Sequence, residues 1–434
     1  MSSMEVEQMS HPERVFDATK ACIVRVLKKT KKLSKDDPRR VIHSLKVGLA
    51  LTLVSLLYYI RPVYDGFGVA TMWAVLTVIV VMEYSVGATI GKGLNRAFAT
   101  LLGGSLGIGA HQIAELLGEK GEPVFLGVSV FLLASGATFS RFFPRIKARY
   151  DYGVTIFILS FSLVSMSSYR IEDIVELGHQ RLSTVAIGVA VCLCVSMFIC
   201  PVWAGGELQE LIALNIEKLA AFLEGLSTLY FAENDGGGDV SKEKKNLLFQ
   251  GYKSVLNSKS TEDALANFAR WEPGHGRFQF KHPWNQYLKI GTLTRQCACH
   301  IEALHSVLNS DNQALLDIDD NTRLVLYNLS SESGKALSEL ASSIRSMTIP
   351  TVVTSFASDA LGATIALDGL KVATVASLLI EIAACVERVT GSVGELAQKA
   401  NFSTATAHGA MHGASVNPDP TEAAEVVVVL TVVD

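Results

Sequence analysis

The clearest indication of the fold of this chain is the run LSTVAIGVAVCLCVSMFICPVW, residues 182–203. It contains no charged residue, and it is as long as the roughly 20-residue helix that crosses the hydrocarbon core of a bilayer. Other apolar runs fill the sequence from this run back to Ser44, whereas the sequence after Trp203 is polar with helical periodicity. We therefore predict an all-α membrane protein that carries a large soluble part on one side.

Composition agrees with this division. The 434 residues are 49% hydrophobic and only 18% charged, whereas soluble domains carry about 25% charged residues. The net charge of -4 gives no basic field that would favour nucleic acid. No Ser-His-Asp or paired-carboxylate arrangement stands out, so an enzyme is the least supported class, and no cofactor is expected.

The apolar half is predicted to form six transmembrane helices, and the polar half a cytosolic helical bundle. The expected domains are a basic cytosolic segment (1–40), the six-span domain (41–204), the cytosolic helical domain (205–400) and a disordered tail (401–434). The expected spans are 44–60, 68–82, 97–113, 123–139, 152–166 and 182–203. Helices of the bundle are expected near 208–231, 242–257, 261–270, 284–308, 322–347 and 372–400.

Basic residues predict the orientation of the spans, since Lys and Arg accumulate in cytoplasmic loops. The N-terminal segment is rich in both, and the fourth loop holds Arg141, Arg145, Lys147 and Arg149. The second loop is expected to hold Lys92 and Arg96. The first, third and fifth loops are poorer in cations. Both ends of the chain are therefore predicted to be cytosolic.

Three of the basic residues are candidates for binding anions. Lys92 and Arg96 lie four residues apart on one helical face, with Glu83 the nearest carboxylate in sequence, and Arg181 opens the sixth span. Cations beside a membrane interior usually face a bundle interior or a wet pathway, where they select anions. The alternative is that they extend from helix ends to lipid headgroups, and the residues alone leave both interpretations open.

The tripeptide Trp271-Glu272-Pro273 is predicted to be a structural corner of the soluble half. Pro273 prevents a helix from continuing cleanly, so Trp271 would pack and Glu272 would find a hydrogen-bond donor. A catalytic role for Glu272 is the less favoured alternative. No firm metal site is visible, because Cys297 and Cys299 point to different faces of a helix.

Seven sequence motifs together resemble the plant aluminium-activated malate transporter family, over about residues 35–400. The motifs are GFGVATMWAVLT (66–77), YSVGATIGKGLNR (84–96), RFFPR (141–145), YDYG (150–153), RLSTV (181–185), CPVWAG (200–205) and WEP (271–273).

The resemblance implies a passive channel for malate and for other organic and inorganic anions, with six spans per subunit, a cytosolic helical domain and a homodimeric assembly. It also implies a pore that Lys92, Arg96 and Arg181 line. Acids in the outward loops, Asp65, Glu172, Asp173 and Glu176, could bind an external trivalent cation or could be ordinary solvated residues. The N-terminal segment is of moderate length, which favours the plasma membrane over the vacuolar membrane.

Two other functions stay open at this stage. The first is a proton-coupled exporter of organic or aromatic acids, for which Glu83 is the main candidate proton carrier. The second is a membrane-anchored interaction protein whose bundle binds partners and which transports nothing. Flux that depends on the pH gradient at fixed voltage identifies the exporter, and absence of flux identifies the interaction protein.

Overall fold

In a computed structural model of the chain, the described residues are 37–60, 72–168, 174–228, 251–279, 281–310, 320–351 and 370–403, with a few positions before residue 37. Every regular element among them is a helix, and extended residues pair only in isolated bridges. This confirms the all-α prediction for the described residues. The elements are α1 (Pro38–Tyr59), α2 (Met72–Val81), α3 (Val86–Glu115), α4 (Gly118–Ser140), α5 (Pro144–Arg149), α6 (Asp151–Ser168), α7 (Ile174–Phe198), α8 (Ala204–Leu226), α9 (Lys259–Ala269), α10 (Trp284–Ser310), α11 (Asp320–Ser346) and α12 (Leu370–Lys399).

Helices α1–α4, α6 and α7 lie at the positions of the six predicted spans. Three segments among the described residues are long and apolar enough to cross a membrane: Pro38–Leu57, Lys120–Ser140 and Gly178–Phe198. Met72–Val81 and Asp151–Ser167 are apolar but shorter. These helices support a membrane half, while the count of six spans stays a prediction.

The prediction that a loop holds Lys92 and Arg96 is wrong, because the helix that contains the third predicted span begins before that span. Helix α3 begins at Val86, where the Ser85 side chain accepts a hydrogen bond from the backbone N–H of Ala88 at 3.3 Å. Lys92 and Arg96 therefore lie within the helix and not in a loop before it. With 30 residues, α3 is about 45 Å long, which exceeds the roughly 30 Å hydrocarbon core. One continuous helix thus links the apolar interior to its polar edge.

Helix α3 is the centre of the membrane half, where it contacts α2, α4, α6 and α7. Its glycines allow the approach to α6. A Cβ at Gly103 would lie 2.8 Å from the backbone oxygen of Phe157, and one at Gly107 would lie 2.8 Å from Val164 Cγ1. Gly104 and Gly109 face open space. The Gly103–Gly107 spacing therefore packs two helices closely, as small residues do in membranes.

The outer helices of the membrane half direct their apolar side chains outward. In the apolar segment of α4 only 6% of the residues are buried, and Phe131 and Leu132 are exposed. Leu45 and Leu56 on α1 are also exposed. A soluble protein rarely exposes apolar patches of this extent, so lipid is the expected solvent for these faces.

The second half forms a helical bundle with one continuous core. Helix α8 packs against α11, α10 packs against α12, and α9 lies between α8 and α10. The largest fully buried side chains include Tyr252, Tyr287 and Phe222. Inside the bundle the Glu262 carboxylate pairs with Arg295 and accepts a 2.7 Å hydrogen bond from Ser258 Oγ. A buried charge held in this way needs its partners, because an unpaired one is costly.

The two halves meet at Glu272, which follows α9 and is 8% exposed. Its carboxylate accepts hydrogen bonds from the first backbone N–H groups of α8, Ala204 at 2.6 Å and Gly205 at 3.1 Å. Burial raises the pKa of Glu272, and these N–H groups, together with that of Gly87 on α3, oppose the rise. A Cβ at Gly87 would lie 2.3 Å from the Phe268 backbone oxygen. Helix α3 therefore rests directly on the bundle.

Replacement of Gly103 by Ala is expected to destabilise the protein by about 1–3 kcal/mol, because the new methyl group forces α3 away from α6. Thermal unfolding of the detergent-purified chain measures this. Gly104→Ala is the matched control, and it should be neutral or stabilising, because its methyl group meets open space and alanine favours helix. Equal melting temperatures for the two variants would contradict the close approach of the two helices.

Replacement of Glu272 by Ala is expected to destabilise the protein by about 1–3 kcal/mol for each buried N–H group left without an acceptor. Glu272→Gln keeps one carbonyl oxygen and should fall between the wild-type protein and Glu272→Ala. Glu302, which is exposed on α10, supplies the control variant Glu302→Ala. Unfolding curves in which Glu272→Ala and Glu302→Ala coincide would rule out this role for Glu272.

Candidate functional site

Arg96 is the most deeply buried of the three candidate anion-binding residues. It lies on the inner side of α3 and is 6% exposed. Its guanidinium donates a 3.2 Å hydrogen bond to the hydroxyl of Tyr152 on α6, while its Nε is buried without a partner. No carboxylate of the described residues forms an ion pair with it. Such a charge favours an anion or water nearby, since it costs much free energy in apolar surroundings.

Arg181 lies on α7 and lines the same small cavity as Arg96. Its guanidinium stacks on the indole ring of Trp73 from α2, with its central carbon 4.1 Å from the ring centre. A cation held over an aromatic face is stabilised while its N–H groups remain available at the edges. Within the described part of the chain, Arg181 also has no carboxylate partner.

Arg96 and Arg181 both line one small cavity between α2, α3, α6 and α7. Ile156, Leu159 and Leu163 of α6 supply its apolar wall. The cavity holds about 20 Å³, which is enough for a single water molecule and far less than the several hundred Å³ of a typical ligand pocket. In this conformation the space between the two arginines is therefore too small for a carboxylate group.

Lys92 has a different environment. Its ammonium group forms an ion pair with Glu83, from the turn between α2 and α3, and lies 5.7 Å from the centre of the Tyr152 ring. The backbone N–H of Glu83 is itself held by Thr89 Oγ1 at 3.1 Å. Lys92 and Arg96 therefore meet at Tyr152, but Glu83 offsets the charge of Lys92.

Tyr152 and Trp73 complete the site, although sequence reasoning did not select either of them. Both lie inside motifs that carry the family resemblance, Tyr152 in YDYG and Trp73 in GFGVATMWAVLT. Each aromatic ring contacts a cation. The aromatic residues that recur in those motifs were therefore the signal in the sequence that could have identified Tyr152 and Trp73.

The other predicted site residues divide into two groups. Asp65, Glu172 and Asp173 lie outside the described residues, as does the side chain of Glu176, so external cation binding stays a prediction. Trp271 lies against α3, where a Cβ at Gly91 would be 3.0 Å from its ring. Glu272 caps α8 as described above, and Pro273 follows it at the surface.

Comparison with known proteins agrees with these motifs. The family model described as aluminium activated malate transporter matches residues 31–367. Aluminum-activated malate transporter 2 of Arabidopsis thaliana is 50% identical over 392 residues, which are 87% of this chain and 78% of that protein. Aluminum-activated malate transporter 1 of Triticum aestivum is 48% identical over 389 residues, 85% of this chain and 84% of that protein. This chain, a membrane protein, therefore belongs to the aluminium-activated malate transporter family.

Proposed function

We propose that the chain is a channel through which malate and other small anions cross a membrane passively. The observation that carries this proposal is the placement of Arg96 and Arg181 on one cavity, with no ion-paired carboxylate among the described residues. Cations that line a pore select anions. The relatives, named as malate transporters, support malate as one of the anions.

The energetics suit a passive route. An anion that leaves a compartment of negative potential gains about 2.3 kcal/mol per charge for each 100 mV. A dicarboxylate gains about twice that, so a selective pathway that opens is sufficient for export. The apolar wall of the cavity then provides the barrier while the pathway is closed.

We also propose that the bundle and both ends of the chain are cytosolic. Arg39, at the start of α1, pairs with Glu207 of α8 at 3.1 Å, which supports a position of the first span's beginning beside the bundle. The basic helix α5 lies on the same side, since Asn267 of α9 donates a hydrogen bond to the backbone oxygen of Ala148. Basic residues on the bundle side favour the cytosol. The homodimer that the resemblance implies is part of the same proposal.

The proton-coupled exporter receives less support. Glu83, the main candidate proton carrier, forms an ion pair with Lys92. This pairing gives Glu83 a structural role that requires no proton transfer.

Arg96→Gln and Arg181→Gln are each expected to lower the anion current about tenfold, because each removes a cation close to the anion's path. Two-electrode voltage clamp of malate-loaded oocytes measures this, with surface protein quantified in the same cells. Arg145→Gln, on the exposed helix α5, is the control and should conduct normally. Normal currents in Arg96→Gln and Arg181→Gln at equal surface expression would refute the proposed pathway.

Glu83→Gln is expected to increase the current at low malate concentration by about threefold or more, because Lys92 then acts on the anion without an opposing charge. The double variant Glu83→Gln/Lys92→Gln should abolish the gain. Concentration–current curves for the two single variants and the double variant measure the coupling. If the double variant keeps the gain, Lys92 is not the residue through which Glu83 acts.

A further inference from the structure

Two cavities adjoin each other where the membrane half meets the bundle. The first is an apolar groove of about 570 Å³ between α3, α4 and α6, lined in part by Phe98, Leu102, Ala137 and Phe157. It opens among exposed apolar side chains, since Phe98 is 62% and Leu102 is 56% exposed. A groove of this size accommodates a ligand of substantial apolar volume.

The second cavity, of about 470 Å³, lies on the bundle side and is basic. Arg149 of α5 and Arg270, which follows α9, line it together with Lys281 and His275. Neither arginine forms an ion pair with a carboxylate in the described ranges. Arg270 instead donates hydrogen bonds to Asn267 and Asn285. Burial and then the proximity of Arg149 lower the pKa of Arg270, while the carboxylate of Asp263 opposes this change.

The remaining titratable residues at this cavity do not cancel its positive charge. Glu272 also lines it, but its carboxylate already accepts the two N–H groups of α8. Burial, with a smaller effect of His275, lowers the pKa of His282 to about 4, so that imidazole is neutral at cytosolic pH. The cavity therefore offers an environment for an anionic group.

The chain itself connects the two cavities. Tyr150 and Trp271 line the apolar groove, while their immediate neighbours Arg149 and Arg270 line the basic cavity. Consecutive Cα atoms are about 3.8 Å apart, so the apolar and basic walls share one border. That border lies on the bundle side of the membrane half, at the level where lipid headgroups are expected.

We propose that the groove and the basic cavity form one binding site for an anionic phospholipid of the bundle-side leaflet. The phosphate lies between Arg149 and Arg270, and an acyl chain follows the groove past Trp271 towards Phe98 and Leu102. Basic pockets beside membrane helices bind anionic headgroups in this way. The proposal rests on the membrane location of the chain and does not require that the chain conducts anions.

The position of the site connects it to helix α3. Asn95, which lines the groove, donates a 3.1 Å hydrogen bond to the backbone oxygen of Arg149. Its neighbour Arg96 faces the small cavity that Arg96 shares with Arg181. A lipid in the groove would therefore contact the helix that carries two of the three candidate anion-binding residues, and would hold α3, α5 and the turn after α9 together.

Native mass spectrometry of the full-length chain in detergent tests this by measuring the affinity for dioctanoyl phosphatidic acid. The double variant Arg149→Gln/Arg270→Gln should bind about thirtyfold more weakly, because each basic residue beside a headgroup contributes about fivefold. Ala137→Phe, which fills the groove, should also weaken binding. Arg145→Gln on α5 and Val128→Phe on the exposed face of α4 are the controls and should bind normally.

Two further ligands distinguish the source of the anionic group. Dioctanoyl phosphatidylcholine lacks the net negative charge, and glycerol phosphate lacks the acyl chains. Each should bind at least about tenfold more weakly than phosphatidic acid. If glycerol phosphate bound as tightly as phosphatidic acid, the ligand of the site would be a soluble phosphate and not a lipid. Full binding by Arg149→Gln/Arg270→Gln would also overturn the proposal. A dimer lost in Ala137→Phe with lipid binding intact would assign the groove to a second copy of the chain.

Unfolding curves and a conservative variant exclude a folding defect as the cause. Arg149→Lys/Arg270→Lys keeps both charges and should retain most of the affinity, whereas a merely structural role of the guanidinium groups predicts loss in this variant as well. Such a loss, with a melting temperature lowered in parallel, would contradict the lipid site.

Discussion

Two arginines in an apolar setting, without carboxylates to pair with them among the described residues, constrain the whole membrane half. A buried guanidinium is costly unless water, an aromatic face or an anion compensates it. Arg96 has the Tyr152 hydroxyl and Arg181 has the Trp73 ring, and both arginines line the same small cavity. Helices α2, α3, α6 and α7 must keep these aromatic residues in place, so the packing of the helices and the proposed anion binding depend on the same contacts.

The contacts that hold α3 give the bundle a direct route to that site. The N-terminus of α3 rests, through Gly87, on the end of α9 and the turn after it, and the same turn caps α8 through Glu272. Its backbone also meets the end of the last apolar segment, since the Val86 N–H donates to the Val202 oxygen at 2.9 Å. A shift of the bundle therefore displaces the first turns of α3, and with them Lys92 and Arg96. A signal received by the bundle would therefore act close to the cavity that Arg96 and Arg181 line.

Helix positions could be predicted from the sequence more closely than side-chain partners. The expected helices 284–308, 322–347 and 372–400 agree within about two residues with α10, α11 and α12, because periodicity reports the buried face. The start of α3 could not be predicted, since Lys92 and glycines interrupt its apolar pattern. The pairing of Lys92 with Glu83 depends on a turn between helices, and the shared cavity of Arg96 and Arg181 depends on contacts distant in sequence. Neither contact produces a periodic pattern in the sequence.

We propose that anions move passively along a path controlled by fixed cations. The most direct test is the reversal potential of the purified chain in a planar bilayer, under a tenfold malate gradient at equal pH. Passive movement of malate predicts reversal near the malate equilibrium potential, about 30 mV for a divalent ion, and no change when a pH gradient is imposed at constant malate. A reversal potential that follows the proton gradient, or the absence of current with the chain correctly inserted, would contradict it.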